Sequence, residues 1–183
     1  MKKVLVPLAP GFEEIEALTV VDILRRAGAE VIVAGTEKGL IEGRSGIKVA
    51  PDAVLDEGLA NGVFDMVVLP GGALGTENLG KNPHVKDVVE RLNAQGSLVG
   101  AICAATTVLS GMGVTAGKRV TGHPTVWGRL KAKEVSAERV VSDGNIITSQ
   151  GPGTAMEFAF RLVEELFGAQ KARQVNEGVL ARV

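Results

Sequence analysis

The chain has one cysteine, Cys103, and sets it at a corner. The apolar run LVGAI arrives on one side, and small residues with helical character leave on the other. A cysteine between a strand and a helix turns its sulfur toward the helix N-terminus, where free backbone N–H groups and the helix dipole favour thiolate. Gly100, Ala101, Ala104 and Ala105 are small enough for the cramped turn of a nucleophile elbow. The competing reading is that Cys103 is a small buried apolar residue, as most free cysteines are.

Two other stretches bear on that choice. In GFEEIEAL, the acids Glu13 and Glu14 suit a helix N-terminus by complementing its dipole. Glu16 lies between Ile15 and Leu18, and if those two face a sheet it points inward. A buried carboxyl resists ionisation. Protonated, it could donate a hydrogen bond to sulfur, and the thiol is then expected to ionise well below the ~8.5 of a free cysteine. In VTGHPTVWG, His123 offers the familiar pairing of cysteine nucleophile and histidine base, or else is a surface turn residue beside glycine and proline. His84, just after Pro83 at a helix start, has no evident partner.

The glycine-rich loops are read for what they lack. PGGALG after an apolar run does not have the G-x-G-x-x-G spacing of a dinucleotide loop, and no P-loop lysine pattern occurs. Gly71 and Gly72 instead suit backbone N–H groups brought toward a developing oxyanion. SQGPGT could hold an anion at its helix start or be a plain capped turn. No metal-ligand spacing appears, and one cysteine rules out a zinc site built of thiolates. The expectation is a site without metal or organic cofactor.

These residues must be held by strands and helices, and the patterning supplies them. KKVLVPL reads as a buried strand. FEEIEALTVVDILRRAG follows as a helix with Ile15, Leu18, Val21 and Leu24 on one stripe and Gly28 as its stop. EVIVAG closes a β-α-β unit, which implies parallel strands and a right-handed crossover. IKVAPD reads as a short strand outside the alternation, and FDMVVLPGG and SLVGAIC as further buried strands. Asn82 and Pro83 are the cap and first residue of a helix ending near Gln95, with Gly96 behind it. RVVSDG and NIITSQ form a hairpin around Asp143 and Gly144. In the helix after SQGPG, Thr154 and Glu157 are spaced as a capping box, and a last helix covers Ala169 to Val179. The fold expected is a doubly wound α/β sandwich, a single domain over residues 1–183.

With 183 residues, 45% of them hydrophobic, the chain can bury a substantial core. A net charge of −1 gives no electrostatic footprint for nucleic acid or acidic membranes. MKKVLVPLAPGFEE has the basic start of a signal peptide, but Pro7, Pro10 and two glutamates interrupt it, and a first strand is the better reading. No stretch approaches the ~20 apolar residues of a membrane span. One cysteine cannot form an internal disulfide, which suits a reducing, cytoplasmic setting.

Taken together, VLVPLAPGFEEIEALTVVDILRRAGAEVIVAG, DMVVLPGG, AICAA, GHP and TSQGPGTAMEFA resemble the ThiJ/PfpI superfamily. Within it they are similar to the Parkinson disease protein 7 branch, a protein deglycase and glyoxalase-like group. The resemblance is collinear over nearly the whole chain. It implies a flavodoxin-like homodimer in which Cys103 is the nucleophile, Glu16 its protonated partner and proton shuttle, and His123 an assisting residue. The amides of Gly72 and Ala104 would form the oxyanion pocket. Protease-like members place a histidine directly after the cysteine, whereas Ala104 follows here, and this weighs against a peptidase. EGRSGIKV matches the branch loosely, so no binding role is carried to Arg44.

The resemblance implies cofactor-independent conversion of methylglyoxal or glyoxal to the hydroxy acid, and removal of early glycation adducts from amino groups. The competing class is a redox sensor or chaperone whose cysteine is oxidised to the sulfinic acid. A small-molecule amidohydrolase using the same nucleophile is the third reading. A symmetric dimer is expected from the resemblance and from the wide apolar face of the first helix across Ile15, Leu18, Thr19 and Ile23.

Overall fold

The computed structural model describes residues 1–181, and its architecture is a flavodoxin-like α/β fold. Along the chain come β1 (Lys3–Leu8), α1 (Glu14–Arg26), β2 (Glu30–Gly35) and a small antiparallel pair of β3 (Ile41–Glu42) and β4 (Lys48–Val49). The edge strand β5 (Ala53–Val54), one-turn helix α2 (Glu57–Ala60), β6 (Met66–Leu69), α3 (Ala73–Lys81), α4 (Pro83–Ala94) and β7 (Leu98–Ile102) follow. A 3₁₀ turn, Cys103–Ala105, leads into α5 (Thr106–Gly111). The strands β8 (Arg119–Val120) and β9 (Glu134–Val135) flank a 3₁₀ segment, Pro124–Arg129. The hairpin of β10 (Val140–Asp143) and β11 (Ile146–Ser149) precedes α6 (Ala155–Phe167) and α7 (Ala169–Val179).

The central sheet has the order β10-β11-β7-β6-β1-β2-β5, and every pairing is parallel except that of β10 with β11. Its inner strands read as unbroken apolar runs because both faces are covered. Val4, Val6, Leu8, Met66 and Val68 face the layer of α1, α6 and α7. Leu5, Val67 and Leu69 point the other way, to α2, α4 and α5. No helix among the described residues is long and apolar enough to cross a membrane.

Helix α1 departs from the expected facing. The stripe against the sheet and α6 is Ala17, Val20, Val21 and Leu24, an i, i+3, i+4, i+7 set. Ile15 is 55% and Leu18 37% exposed, while Ile23 is 2% exposed and belongs to the core. Glu16 is buried all the same, because it stacks one turn above Val20 and two above Ile23. Its inward position was expected, but for the wrong flanking residues.

Two elements have weak sequence signals. β5 is only two residues, and α3 carries two glycines and little periodic apolar character. The proposed capping box also differs. The Thr154 hydroxyl bonds to Gly151 and Ser149 in the preceding turn, and Glu157 pairs with Arg139 instead of reaching back. A guanidinium within reach outcompetes a neutral backbone N–H for a carboxylate.

Candidate active site

From β1 the chain moves outward through β2, and from β6 it moves outward in the opposite direction through β7. The carboxyl ends of β1, β6 and β7 therefore open a crevice at the point where the winding reverses. Backbone hydrogen bonds tie the loops after β1 and β6 to each other, and the loop after β7 to the one after β8. The Glu13 N–H donates to the Gly71 carbonyl at 3.0 Å, Gly75 to Gly11 at 3.2 Å, and His123 to Cys103 at 3.3 Å.

Cys103 follows the last residue of β7 with φ +63°, and among the described non-glycine residues only Leu180 shares that sign. A left-handed conformation in a residue with a Cβ costs about 1–3 kcal/mol and must be held by its surroundings. The turn stands the half-buried thiol at the head of the 3₁₀ turn, where the N–H groups of Ala104 and Gly72 reach its sulfur. Gly72 itself has φ +91°, and a Cβ there would strike the Gly11 carbonyl. Gly100 is small for a different reason than the elbow: a Cβ there would press on Leu162, Phe158 and Val68 at 3.2–3.3 Å.

Glu16 is 0% exposed. The carboxylate of Glu13 caps α1 by accepting the Glu16 N–H at 2.8 Å, which fixes the first turn. The Gly71 N–H donates to Glu16 Oε2 at 2.8 Å, so this amide orients the carboxyl and is not free to face an oxyanion, a change from its expected part. Gly71 has no room for a side chain, since a Cβ would collide with Glu16 Oε2 and with Cys103 Cβ. Glu16 Oε1 is buried and receives no hydrogen bond of ordinary geometry.

Burial pushes the Glu16 carboxyl up from 4.5 to about 7; contact with the Cys103 thiol, the Gly71 amide and the charge of Arg44 work against this, and Glu13 adds to it. Burial, then the charge of an ionised Glu16, pushes the Cys103 thiol up from 9.0 to about 12, against the pull of the Ala104 and Gly72 amides. With Glu16 ionised, the expected simple lowering of the thiol is therefore not what these surroundings give. Two amides do not outweigh burial next to a second anion. Because the two groups interact strongly, the values belong to the pair, which loses one proton near neutrality and the other only in strong base.

His123 is half-buried, and its Nδ1 lies 2.8 Å from Thr125 Oγ1. A methyl group on Gly151 would sit 3.5 Å from His123 Cδ2 and 4.0 Å from Glu16 Oε1, so the ring and the carboxyl border the same glycine. Cys103, Glu16, Gly71, Gly72, Ala104 and His123 thus converge, whereas His84 stands apart at the start of α4. Thr125 and Gly151 were not singled out from the sequence. Thr125 had a readable signal: after a proline, the next residue supplies the turn's first free N–H. A groove of about 780 Å³ adjoins the site, with Ala104, Thr107, Met112, Thr125 and Arg129 on its walls. Among the described residues, no group of three or more His, Cys, Asp or Glu side chains could hold a metal ion.

The pattern of the DJ-1/PfpI family matches residues 2–165. The chain is 42% identical to the Parkinson disease protein 7 homolog of Danio rerio, over 99% of this chain and 98% of that relative. It is 37% identical to a protein of Caenorhabditis elegans named glutathione-independent glyoxalase DJR-1.2, over 95% of this chain and 94% of the other. The solved structure of Toxoplasma gondii DJ-1, oxidized, superposes with a TM-score of 0.95 at 35% identity, covering 98% of each chain.

Proposed function

We propose that this chain, which belongs to the DJ-1/PfpI family, is a cofactor-independent glyoxalase and deglycase acting on methylglyoxal, glyoxal or their early adducts with amino groups. The observation that carries this reading is Glu16 Oε1, a deeply buried carboxyl oxygen that no N–H reaches, in contact with the only thiol. A carboxylate oxygen in that position is costly, and a protonated one is not. Two amides serve the sulfur and one serves Glu16 Oε2, so the single anion of the pair belongs on sulfur and the proton on Oε1.

The reaction then balances without an external oxidant. The Cys103 thiolate adds to the aldehyde carbon of methylglyoxal, and the oxygen so formed takes the Glu16 proton, giving a hemithioacetal. Glu16, now a carboxylate, removes the hydrogen from that carbon as a proton and returns it to the neighbouring carbon, while the hydroxyl proton passes from the first oxygen to the neighbouring one, leaving a thioester of lactate. Water hydrolyses the thioester, releasing lactate and restoring the pair. The amides of Gly72 and Ala104 are the donors for negative charge at the reacting centre. Glyoxal gives glycolate by the same steps. The name of the Caenorhabditis elegans relative supports this activity class.

The reading takes residues 1–183 as one domain in a reducing, cytoplasmic setting, acting as a homodimer. Ile15 and Leu18 on α1 and Ile47 beside the β3–β4 pair stay exposed, and the Ser45 N–H bond to Glu14 Oε1 joins the two elements. A second copy covering these side chains would doubly bury them, and sedimentation should give twice the chain mass.

A redox sensor is the second reading, favoured by the two amides at a half-buried sulfur, which would also hold the oxygens of a sulfinate. Production of lactate from methylglyoxal by chelator-treated, dialysed protein, lost in Cys103→Ala, is the outcome expected of the enzyme. No turnover in the intact protein would leave the sensor in its place.

A further inference from the structure

His123 stands immediately before the 3₁₀ segment Pro124–Arg129, and its ring caps that segment. Pro124 has no N–H, so Thr125 supplies the first free amide. That amide donates to His123 Nδ1 at 3.3 Å, and Thr125 Oγ1 lies 2.8 Å from the same nitrogen. An amide N–H can only donate. Nδ1 must therefore present its lone pair, and the neutral ring carries its proton on Nε2. The Thr125 hydroxyl is then a donor too, because an unprotonated Nδ1 has nothing to give it.

We propose that Thr125 is a positioning residue that holds His123 as the neutral Nε2–H form, so that the ring serves the reaction as a hydrogen-bond donor and not as the base that deprotonates Cys103. The ring edge opposite Nδ1 consists of Cδ2 and Nε2, and Cδ2 is the atom that borders Gly151 together with Glu16 Oε1. A donor on that edge is aimed at the side of the crevice where Glu16 works. It stabilises negative charge on the substrate oxygen during the proton shift. The division of labour is coherent: proton transfer belongs to Glu16, and His123, with Nδ1 occupied by two donors, supplies a fixed N–H. This rests on the glyoxalase reading for its catalytic meaning, but the state of the ring is a property of the resting protein.

The chain has two histidines, which makes the test direct. Long-range ¹H–¹⁵N NMR at pH 8.5, where ordinary imidazoles are neutral, reads which ring nitrogen carries the proton. His84, whose ring makes no hydrogen bond among the described residues, is the internal reference. In the intact protein His123 should show an unprotonated Nδ1 and a protonated Nε2, more completely than His84. Thr125→Val keeps the amide and removes the hydroxyl, so the ratio of the two ring forms should fall about three- to tenfold, the worth of one neutral hydrogen bond. Thr125→Ser should restore it. Lactate production should fall with the fraction of Nε2–H ring in Thr125→Val and recover in Thr125→Ser, through kcat more than KM. A protonated Nδ1 in the intact protein, or an unchanged ratio in Thr125→Val, overturns the proposal. A locked ring in a protein with no lactate production at all would instead count against the glyoxalase reading alone.

Discussion

Glu14 and Glu16 sit two residues apart on the first turn of α1, at 5% and 0% exposure, and their carboxyls move in opposite directions. Burial works to raise Glu14 as well, but the amides of Ser45, Ile47 and Glu14 itself outweigh it and hold the carboxyl below its ordinary value. Its Oε1 takes the Ser45 N–H at 2.7 Å and fastens the β3–β4 pair to α1. Glu16 takes one amide, leaves Oε1 without a donor and faces a thiol, and burial raises it to about 7. The difference is one of depth as well as donor supply: Glu14 Oε2 is also buried without a partner at ordinary distance, but only Glu16 lies deep enough for burial to outweigh its amide. A carboxylate near the surface with several N–H groups around it is structural; a deep one with a single amide and a thiol for a neighbour becomes an acid that can exchange a proton.

The largest effect expected on the chemical side is from Cys103→Ala, which should reduce lactate production to the uncatalysed background, with the fold intact by circular dichroism. Glu16→Gln should come next. It keeps a donor for the sulfur but cannot carry a proton between carbons, and kcat should fall by about 10²–10⁴-fold. Its stability should also change with pH in a way that Glu14→Gln does not reproduce. The folded pair keeps both protons until near 7, whereas the free carboxyl loses its own near 4.5. The stability tied to Glu16 is therefore full below 4.5 and lost as pH rises through 7, about 3 kcal/mol across that window whichever of the two atoms gives up the proton. Denaturant midpoints of the intact protein and Glu16→Gln should therefore converge in acid and separate in favour of the variant at pH 8. Parallel curves would mean that the folded pair holds no extra proton between 4.5 and 7 and that Glu16 is an ordinary carboxylate.

Gly71→Ala sharpens the comparison from the donor side. The added methyl must displace Glu16 Oε2 or the Cys103 Cβ, and a displacement of about 1 Å at the chemistry costs on the order of 10²-fold in kcat. Glu14→Gln is the structural counterpart. It should cost about 1.5–3 kcal/mol at pH 7, since hydrogen bonds to a charged acceptor are lost, while lactate production by the folded fraction persists. Because Glu14 is lowered, the stability it contributes is present above 4.5 and fades in acid, the reverse of Glu16. The smallest effect belongs to the surface. Arg119 pairs with Glu134 and Glu138, all of them open to solvent, and Glu138→Gln should leave kcat unchanged and move Tm only slightly, less so in high salt.

Much of this was legible in the residue order. The parallel sheet follows from apolar runs alternating with helical stripes, and α7 from Ala169 to Val179 agrees with its periodicity to the residue. Cys103 was readable as an elbow because a strand, a helix and small neighbours meet there. The facing of α1 was not, because two stripes of apolar residues coincide at Val21 and Leu24 and diverge at the N-terminal turn. Only packing against α6 selects Ala17 and Val20 over Ile15 and Leu18. The part of Gly71 was hidden as well: whether its N–H serves a carboxyl or an oxyanion depends on where a residue 55 positions earlier places Oε2. For the same reason the thiol's environment escaped local reasoning, since helix-terminal amides are visible in sequence and the burial opposing them is not.

The central claim is that, once the pair has lost one proton, the charge sits on Cys103 and the proton on Glu16. Infrared difference spectroscopy at pH 9, intact protein minus Glu16→Gln, measures this most directly, because a protonated carboxyl and a thiol S–H absorb in separate regions. With one cysteine in the chain the S–H region has a single source. The account predicts a carboxylic-acid C=O band from Glu16 at pH 9, above the loss of the pair's first proton near 7, and no S–H band in the intact protein. An S–H band without the carboxylic-acid band would put the charge on Glu16, and the cysteine would then be a protonated thiol with no means of attacking an aldehyde.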